Sequence, residues 1–359
     1  MNGSRSRTDD KNPLHLRVGA TMDDRFLEHK TGHSHPEHPR RLAEIHRMIE
    51  REFKDRLMIV RPEPATVEQV ETVHTPGHVR AILKTAEQRM SSMSPDTQVS
   101  ARTYMAAWLA AGACIQGIDL LLNDAADAFF ALIRPPGHHA LADRAGGFCI
   151  FNNIAIAARY AMKCFGLERI LVIDWDIHHG NGINDLFYNE RRLYYYSTHD
   201  ILLYPYSGRA EDVGDGPGRG YTMNIPLLRE MTDDDMVYLY NQTLLPVLSG
   251  YRPQLIMVAA GFDAHADDPI SKCGFTENIY ARIIRLVMDF FIRGGRPMPP
   301  LFLALEGGYE PRALTASVRT VLRTLIKNGV SPKPPDSTNA ALMNRIREIG
   351  SIHTPYGVI

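Results

Sequence analysis

Five apolar runs, spaced by helical patterns, constrain the fold of this chain more than any other feature. They are AFFALIR (128–134), RILVIDW (169–175), LYYYST (193–198), QLIMVAAG (254–261) and LFLALEGG (301–308). Each is short, lacks the polar–apolar alternation of a one-sided sheet, and so reads as a strand buried on both faces. Between them lie the helical stretches ARTYMAAWLAAGACIQGIDLLLN (101–123), IFNNIAIAARYAMKCFG (150–166) and TENIYARIIRLVMDFFIRGG (276–295). Continuous apolar strands alternating with helices predict a three-layer α/β/α domain around a central, mostly parallel sheet.

The organisation around that sheet is simple. Residues 1–13 are polar and read as a disordered tail, 14–330 as one domain, and 331–359 as a C-terminal helix and tail set off by SPKPPD. The His-rich stretch 22–41 reads as a long loop, with helix from Leu42 onward, and EDVGDGPGRGYT (211–222) as a surface loop. That loop lacks the strand-to-helix setting of a phosphate-binding glycine loop.

The chemistry collects where strands end. AFFALIR runs into Pro135, Pro136, Gly137, His138 and His139; RILVIDW into Asp174, Asp176 and His178; QLIMVAAG into Asp263 and His265; LFLALEGG into Tyr309. Ligands of an open parallel sheet bind at the carboxyl ends of its strands, so four distant segments bring polar groups to one edge. Residues i, i+2 and i+4 of an extended strand share a face, which puts Asp174, Asp176 and His178 together if the strand stays extended. Asp176, His178 and Asp263 then form a two-carboxylate, one-imidazole set that leaves a coordination position open, the pattern of a catalytic zinc. A lone buried Asp at a strand end is more often a cap; the joint pattern is what reverses that.

Adjacent His138 and His139 are costly as two core histidines and read better as acid–base machinery. Asp174 is positioned to hold one imidazole and Asn181 the other. The His on a carboxylate is expected to carry charge, and the His on an amide to stay neutral and serve as base. Tyr309, after Gly307 and Gly308, is a candidate oxyanion donor.

The motifs RPPGHHA, GGFCIFNN, VIDWDIHHGNG, AAGFDAHADDP and LEGGY together resemble the histone deacetylase and acetylpolyamine amidohydrolase family, of the arginase/deacetylase fold, over about residues 20–325. Asn181 and the loop HSHPEHPRR (33–41) are similar to its class II branch and bacterial relatives. The resemblance implies a zinc-dependent amidohydrolase with one Zn2+ on Asp176, His178 and Asp263. It implies His139 as general base and acid, and Tyr309 polarising the acetyl carbonyl. Gly147, Phe148 and Tyr204 would line the substrate tunnel. A structural K+ would sit on main-chain oxygens of Asp174, Asp176 and His178 and the Ser197 hydroxyl. Ile270 stands where the polyamine-preferring branch carries an acidic gate, which favours an acetyl-lysine side chain or another small acyl amide over an acetylpolyamine. Ser94 or Asp96 falls where the family has a rim residue, although a solvated loop is the stronger reading of each.

Two rivals stay open on residues alone: a binuclear manganese ureohydrolase, with His265 on a second metal, and a non-enzymatic binding module. The His-rich loop (His29, His33, His35, His38) reads as a tunnel rim ahead of a metal site. With 40 basic and 41 acidic residues, nothing suggests nucleic acid or an anionic membrane as partner. The resemblance implies acetylated proteins, peptides or small amines as partners, with a homo-oligomer left open. No run approaches the ~18 consecutive apolar residues of a membrane span. Four scattered cysteines, Cys114, Cys149, Cys164 and Cys273, make no CxxC pair and fit a reducing, cytoplasmic setting.

Overall fold

The structure, a computed structural model, describes residues 16–87, 90–271, 273–327, 336 and 339–357. The expected N-terminal tail and all but Asp336 of SPKPPD lie outside the described residues.

Eight parallel strands build one sheet: β1 (Val18–Thr21), β2 (Met58–Val60), and, after a separate antiparallel hairpin of β3 (Met90–Ser94) and β4 (Thr97–Ser100), β5 (Ala128–Ala131), β6 (Ile170–Asp174), β7 (Leu193–His199), β8 (Thr222–Pro226), β9 (Leu255–Ala260) and β10 (Leu301–Leu305). Their order is β2-β1-β5-β10-β9-β6-β7-β8. All residues of β5, β6, β7, β9 and β10 are buried, as the unbroken apolar runs require when helices cover both faces.

Two groups of helices supply those layers. In one, α4 (Thr103–Leu122) packs on α5 (Asn153–Phe165), reinforced by α2 (Val67–Val70), α3 (Pro76–Leu83) and α6 (Asn181–Phe187). In the other, α1 (Arg40–Glu52), α7 (Asp233–Tyr251), α8 (Asn278–Arg293), α9 (Pro311–Ile326) and α10 (Ala340–His353) pack as a chain α1–α9–α8–α7–α10. α4 is long and apolar enough for a membrane span by composition, but 72% of its most apolar window is buried inside the protein, against β5, β10 and α5.

Local chemistry sets the helix ends. Asn152 caps α5 by accepting from the Ala155 amide, and Gly166 ends it in the left-handed region. Thr232 and Asp235 form a capping box at α7, with three aspartates in its first turn.

Two expectations need correction. The 22–41 stretch is not one long loop: Asp24–Glu28 forms a 3-10 turn, α1 begins at Arg40, and His29 and Glu37 are buried. The 90–100 segment is a hairpin, not a solvated loop around Ser94 and Asp96.

Candidate active site

The four strands whose ends carry the chemistry, β5, β10, β9 and β6, are consecutive across the middle of the sheet. Parallel pairing puts all their carboxyl ends on one edge. Asp263 follows β9, which pairs directly with β6, so it meets the Asp176–His178 segment there.

The local route differs from a continued strand. β6 stops at Asp174, and residues 175–178 bend away. Each acidic side chain then receives a backbone amide two residues on: Asp176 N donates to Asp174 Oδ1 (3.2 Å), and His178 N to Asp176 Oδ1 (2.9 Å). Asp174 is thereby turned from the other two. Its Oδ2 accepts from His138 Nδ1 (3.2 Å) and from the Tyr195 hydroxyl (2.9 Å).

Donor atoms of Asp176, His178 and Asp263 lie within 4.8 Å of one another, and all three residues are buried. His178 Nδ1 stands 3.0 Å from both Asp176 Oδ1 and Asp263 Oδ2. That spacing is near the roughly 3.4 Å edge of a tetrahedral site with ~2.1 Å bonds. Burial, and then the Asp176 charge, push Asp263 above the ordinary carboxylate range. Two buried carboxylates sharing one imidazole fit a divalent cation better than they fit each other. Gly307 leaves them room: a Cβ there would run into Asp263 Oδ2 and Asp176 Oδ2.

The His pair sits beside this set, with ring centroids 3.9 Å apart. Both are buried, and their partners separate them. His139 Nδ1 lies 2.8 Å from Asn181 Oδ1. Burial and the positive field of His138 and His178 drive the His139 pKa well below the ordinary value. For His138, burial opposes the charge, but Asp176 and Asp174 outweigh it and push its pKa up to about 10. The turn that carries them is tied to β10 through Glu306, whose Oε2 accepts from Gly137 N (2.6 Å) and His138 N (3.1 Å).

Tyr309 is half-buried. Its amide donates to Asp268 Oδ2 (2.6 Å), the Arg41 guanidinium lies 4.9 Å over its ring, and Phe148 meets it edge-on at 5.5 Å. Burial raises its hydroxyl pKa well above the usual value, so it remains a donor.

Gly147 and Phe148 occupy a left-handed turn with φ 56° and 66°. A Cβ on Gly147 would collide with the His139 ring and approach Tyr204, so the turn closes directly over the His pair. Tyr204 meets His139 edge-on at 4.9 Å. Asp96, expected in solvent, holds this turn: its Oδ2 accepts from Gly147 N (3.2 Å), while Thr97 Oγ1 accepts from Phe148 N (3.0 Å). His35 of the His-rich loop packs edge-on against Phe148 at 4.7 Å.

Ile270 lines a cavity of about 510 Å³ with Leu202, Leu203, Cys273, Asp200 and Glu230, and its amide shares the Asp268 carboxylate with that of Tyr309. Ser197, buried on β7 beside Asp174, has its hydroxyl 2.9 Å from His199 Nδ1. Among the described residues, none of the four imidazoles of the His-rich loop joins a metal-ligating group, nor does His265. His265 faces Asp267 and Glu277 instead.

Sequence reasoning missed the support beneath this site. Glu37, within the polar loop, accepts from Arg134 Nε (2.5 Å), Arg134 Nη2 (2.6 Å) and Arg41 Nη1 (2.9 Å), all three residues being buried. Arg41 also donates to the carbonyls of Glu306 and Gly308. The one signal was Arg134 closing an otherwise apolar run, where a buried guanidinium demands an acid.

Known proteins resemble this chain in sequence and in fold. The histone deacetylase domain family matches residues 35–325. A probable deacetylase of Archaeoglobus fulgidus is 36% identical over 298 residues, 82% of this chain and 81% of that protein. A histone deacetylase-like amidohydrolase of Pseudomonas aeruginosa is 38% identical over 259 residues, 71% of this chain and 67% of that protein. The crystal structure of the HDA15 HD domain is similar over 96% of both chains, with a TM-score of 0.87 and 31% identity.

Proposed function

The chain belongs to the histone deacetylase family, whose members include deacetylases and amidohydrolases acting on amide bonds, and from that premise we propose a zinc-dependent deacetylase that releases acetate from an acetyl-lysine side chain or a similar small acyl amine. The observation that carries the reading is the convergence of Asp176, His178 and Asp263 donor atoms within 4.8 Å, next to the His138–His139 pair.

Zinc held by those three residues would supply Lewis-acid polarisation of the carbonyl and a water acidified from pKa ~15.7 toward ~7. The remaining work falls to the chain. His139 donates its Nδ1–H to Asn181 Oδ1, which leaves Nε2 with its lone pair; its depressed pKa keeps it neutral. It takes the proton of the attacking water. Charged His138, held by Asp174, stabilises the anionic tetrahedral species. Tyr309 donates its hydroxyl to the oxyanion. A histidine then protonates the departing amine.

Gly147, Phe148 and Tyr204 form the walls past which the acyl-amine chain reaches the His pair. The side chain of Ile270 itself offers a cationic polyamine no counter-charge, which favours acetyl-lysine at that position, while Asp200 and Glu230 line the same cavity. A structural K+ on the main-chain oxygens of Asp174, Asp176 and His178 and the Ser197 hydroxyl belongs to the same proposal, as does a reducing, cytoplasmic setting. Four free cysteines support the latter.

The test is a side-by-side assay of acetyl-lysine peptides and acetylated polyamines, with His139→Ala as control. Turnover of the peptide, lost in the variant, is expected. Turnover of the polyamine alone would move the substrate assignment to the amidohydrolase branch, and turnover of neither would sink the reading.

A further inference from the structure

We infer that His138, Cys149 and Glu306 form a second site for a zinc-class divalent cation, one with a thiolate ligand, which fills when the cation is in excess and inhibits the enzyme when filled. One ligand atom from each residue lies within 4.8 Å of the others, and all three residues are buried. They arrive from three directions: His138 from the turn after β5, Cys149 from the bridge it makes with Gly146, and Glu306 from the end of β10.

The carboxylate is what asks for a partner. Glu306 is fully buried; Oε2 takes both the Gly137 and His138 amides, and Oε1 meets no donor among the described residues. A buried carboxylate oxygen with no donor is unfavourable, and a cation relieves it. Among the described residues, Cys149 Sγ accepts from His139 N at 3.5 Å and donates to Gly147 O at 3.3 Å, and a cation would replace the second of these. His138 commits Nδ1 to Asp174; its Nε2, 3.9 Å from Asp176 Oδ2, becomes a ligand once a cation displaces its proton.

Imidazole, thiolate and carboxylate together are a donor set for zinc and its soft relatives. The cation forms its bonds to the sulfur and to His138 Nε2 as two protons, one from the thiol and one from that imidazolium nitrogen, leave to solvent. This set differs in kind from Asp176–His178–Asp263, which has no sulfur, and from the ureohydrolase rival, which would draw on His265. An ion in the first site repels one in the second, so the second binds more weakly. Filling it takes His138 Nε2 out of use. Only this inhibitory consequence rests on the proposed deacetylase reading; the ligation stands apart from it.

Cobalt is the probe. The chelator-stripped full-length protein is titrated with Co2+, because thiolate ligation gives an intense near-ultraviolet charge-transfer absorption that an Asp–His–Asp site lacks. Weak visible absorption is expected through the first equivalent. The near-ultraviolet band is expected to rise only over the second, with turnover falling in step. In Cys149→Ser the band disappears, and in Glu306→Gln the second equivalent binds roughly 10–100-fold more weakly. If stripping unfolds the protein, excess Co2+ added to the zinc-loaded enzyme reads the same band. A titration without the band overturns the inference, as does a band retained in Cys149→Ser. The band without first-equivalent visible absorption upholds the second site and counts against the Asp–His–Asp centre alone.

Discussion

His139 Nδ1 lies 2.8 Å from Asn181 Oδ1, while its neighbour His138 gives the same ring nitrogen to the Asp174 carboxylate at 3.2 Å. One backbone step thus separates an imidazole held neutral from one held charged. If neutral His139 is the base, activity fails on the acid side as it protonates. Its lowered pKa places the acidic limb of kcat/KM below the usual histidine value of ~6.5. Asn181→Asp sets a carboxylate on that nitrogen and raises the pKa. The limb should move up by about one pH unit or more, with about tenfold loss per unit below it. A pH–rate profile unchanged by the substitution would remove His139 as the base.

Tyr309 follows the glycine turn after β10, with Arg41 over its ring, Phe148 edge-on to it and Asp268 on its amide. Tyr309→Phe keeps the ring and these contacts and removes the hydroxyl. Turnover should drop by ~10²–10³, with metal content unchanged. Normal turnover in this variant would exclude the hydroxyl from the chemistry.

Gly147 has no room for a side chain beside His139 and Tyr204, and its φ of 56° disfavours one. Gly147→Ala should therefore block the route to the His pair. The expected result is turnover lost with metal still bound. Wild-type kcat/KM would show that substrate does not pass this turn.

The Glu37–Arg134–Arg41 network joins the His-rich loop, the end of β5 and the tyrosine turn. Burial alone would raise the Glu37 pKa; Arg134 and then Arg41 overcome this and hold it well below the ordinary carboxylate range. Glu37→Gln leaves two buried guanidiniums short of charge and should cost about 3–5 kcal/mol of stability. Because the folded pKa is depressed, the wild-type advantage is present above the unfolded carboxylate value of ~4.3 and shrinks as pH falls below it. Denaturant melts at pH 7 and pH 3.5 check both parts. An equal gap at the two pH values would contradict them.

The sheet core was readable because β5, β6, β7, β9 and β10 are buried on both faces and leave unbroken apolar runs. β1 and β2, of 4 and 3 residues, leave too little pattern to find. The hairpin at 90–100 is spelled in Ser, Met and Thr, and its role is polar: Asp96 and Thr97 hold the backbone of Gly147 and Phe148. The Asp174–Asp176–His178 spacing assumed an extended strand as far as His178, and the chain takes another geometry there. The strand ends at Asp174, and side-chain-to-amide hydrogen bonds shape the rest. Glu37 and Glu306 were invisible as site residues, since a buried acid is recognised only by what the fold brings against it.

The central claim is that Asp176, His178 and Asp263 grip one catalytic zinc. The direct measurement is anomalous diffraction across the zinc absorption edge, on crystals of protein supplied with one zinc per chain. One peak among those three side chains is expected, absent in Asp263→Asn. Two manganese ions in its place, or no ion between Asp176, His178 and Asp263, would contradict the account.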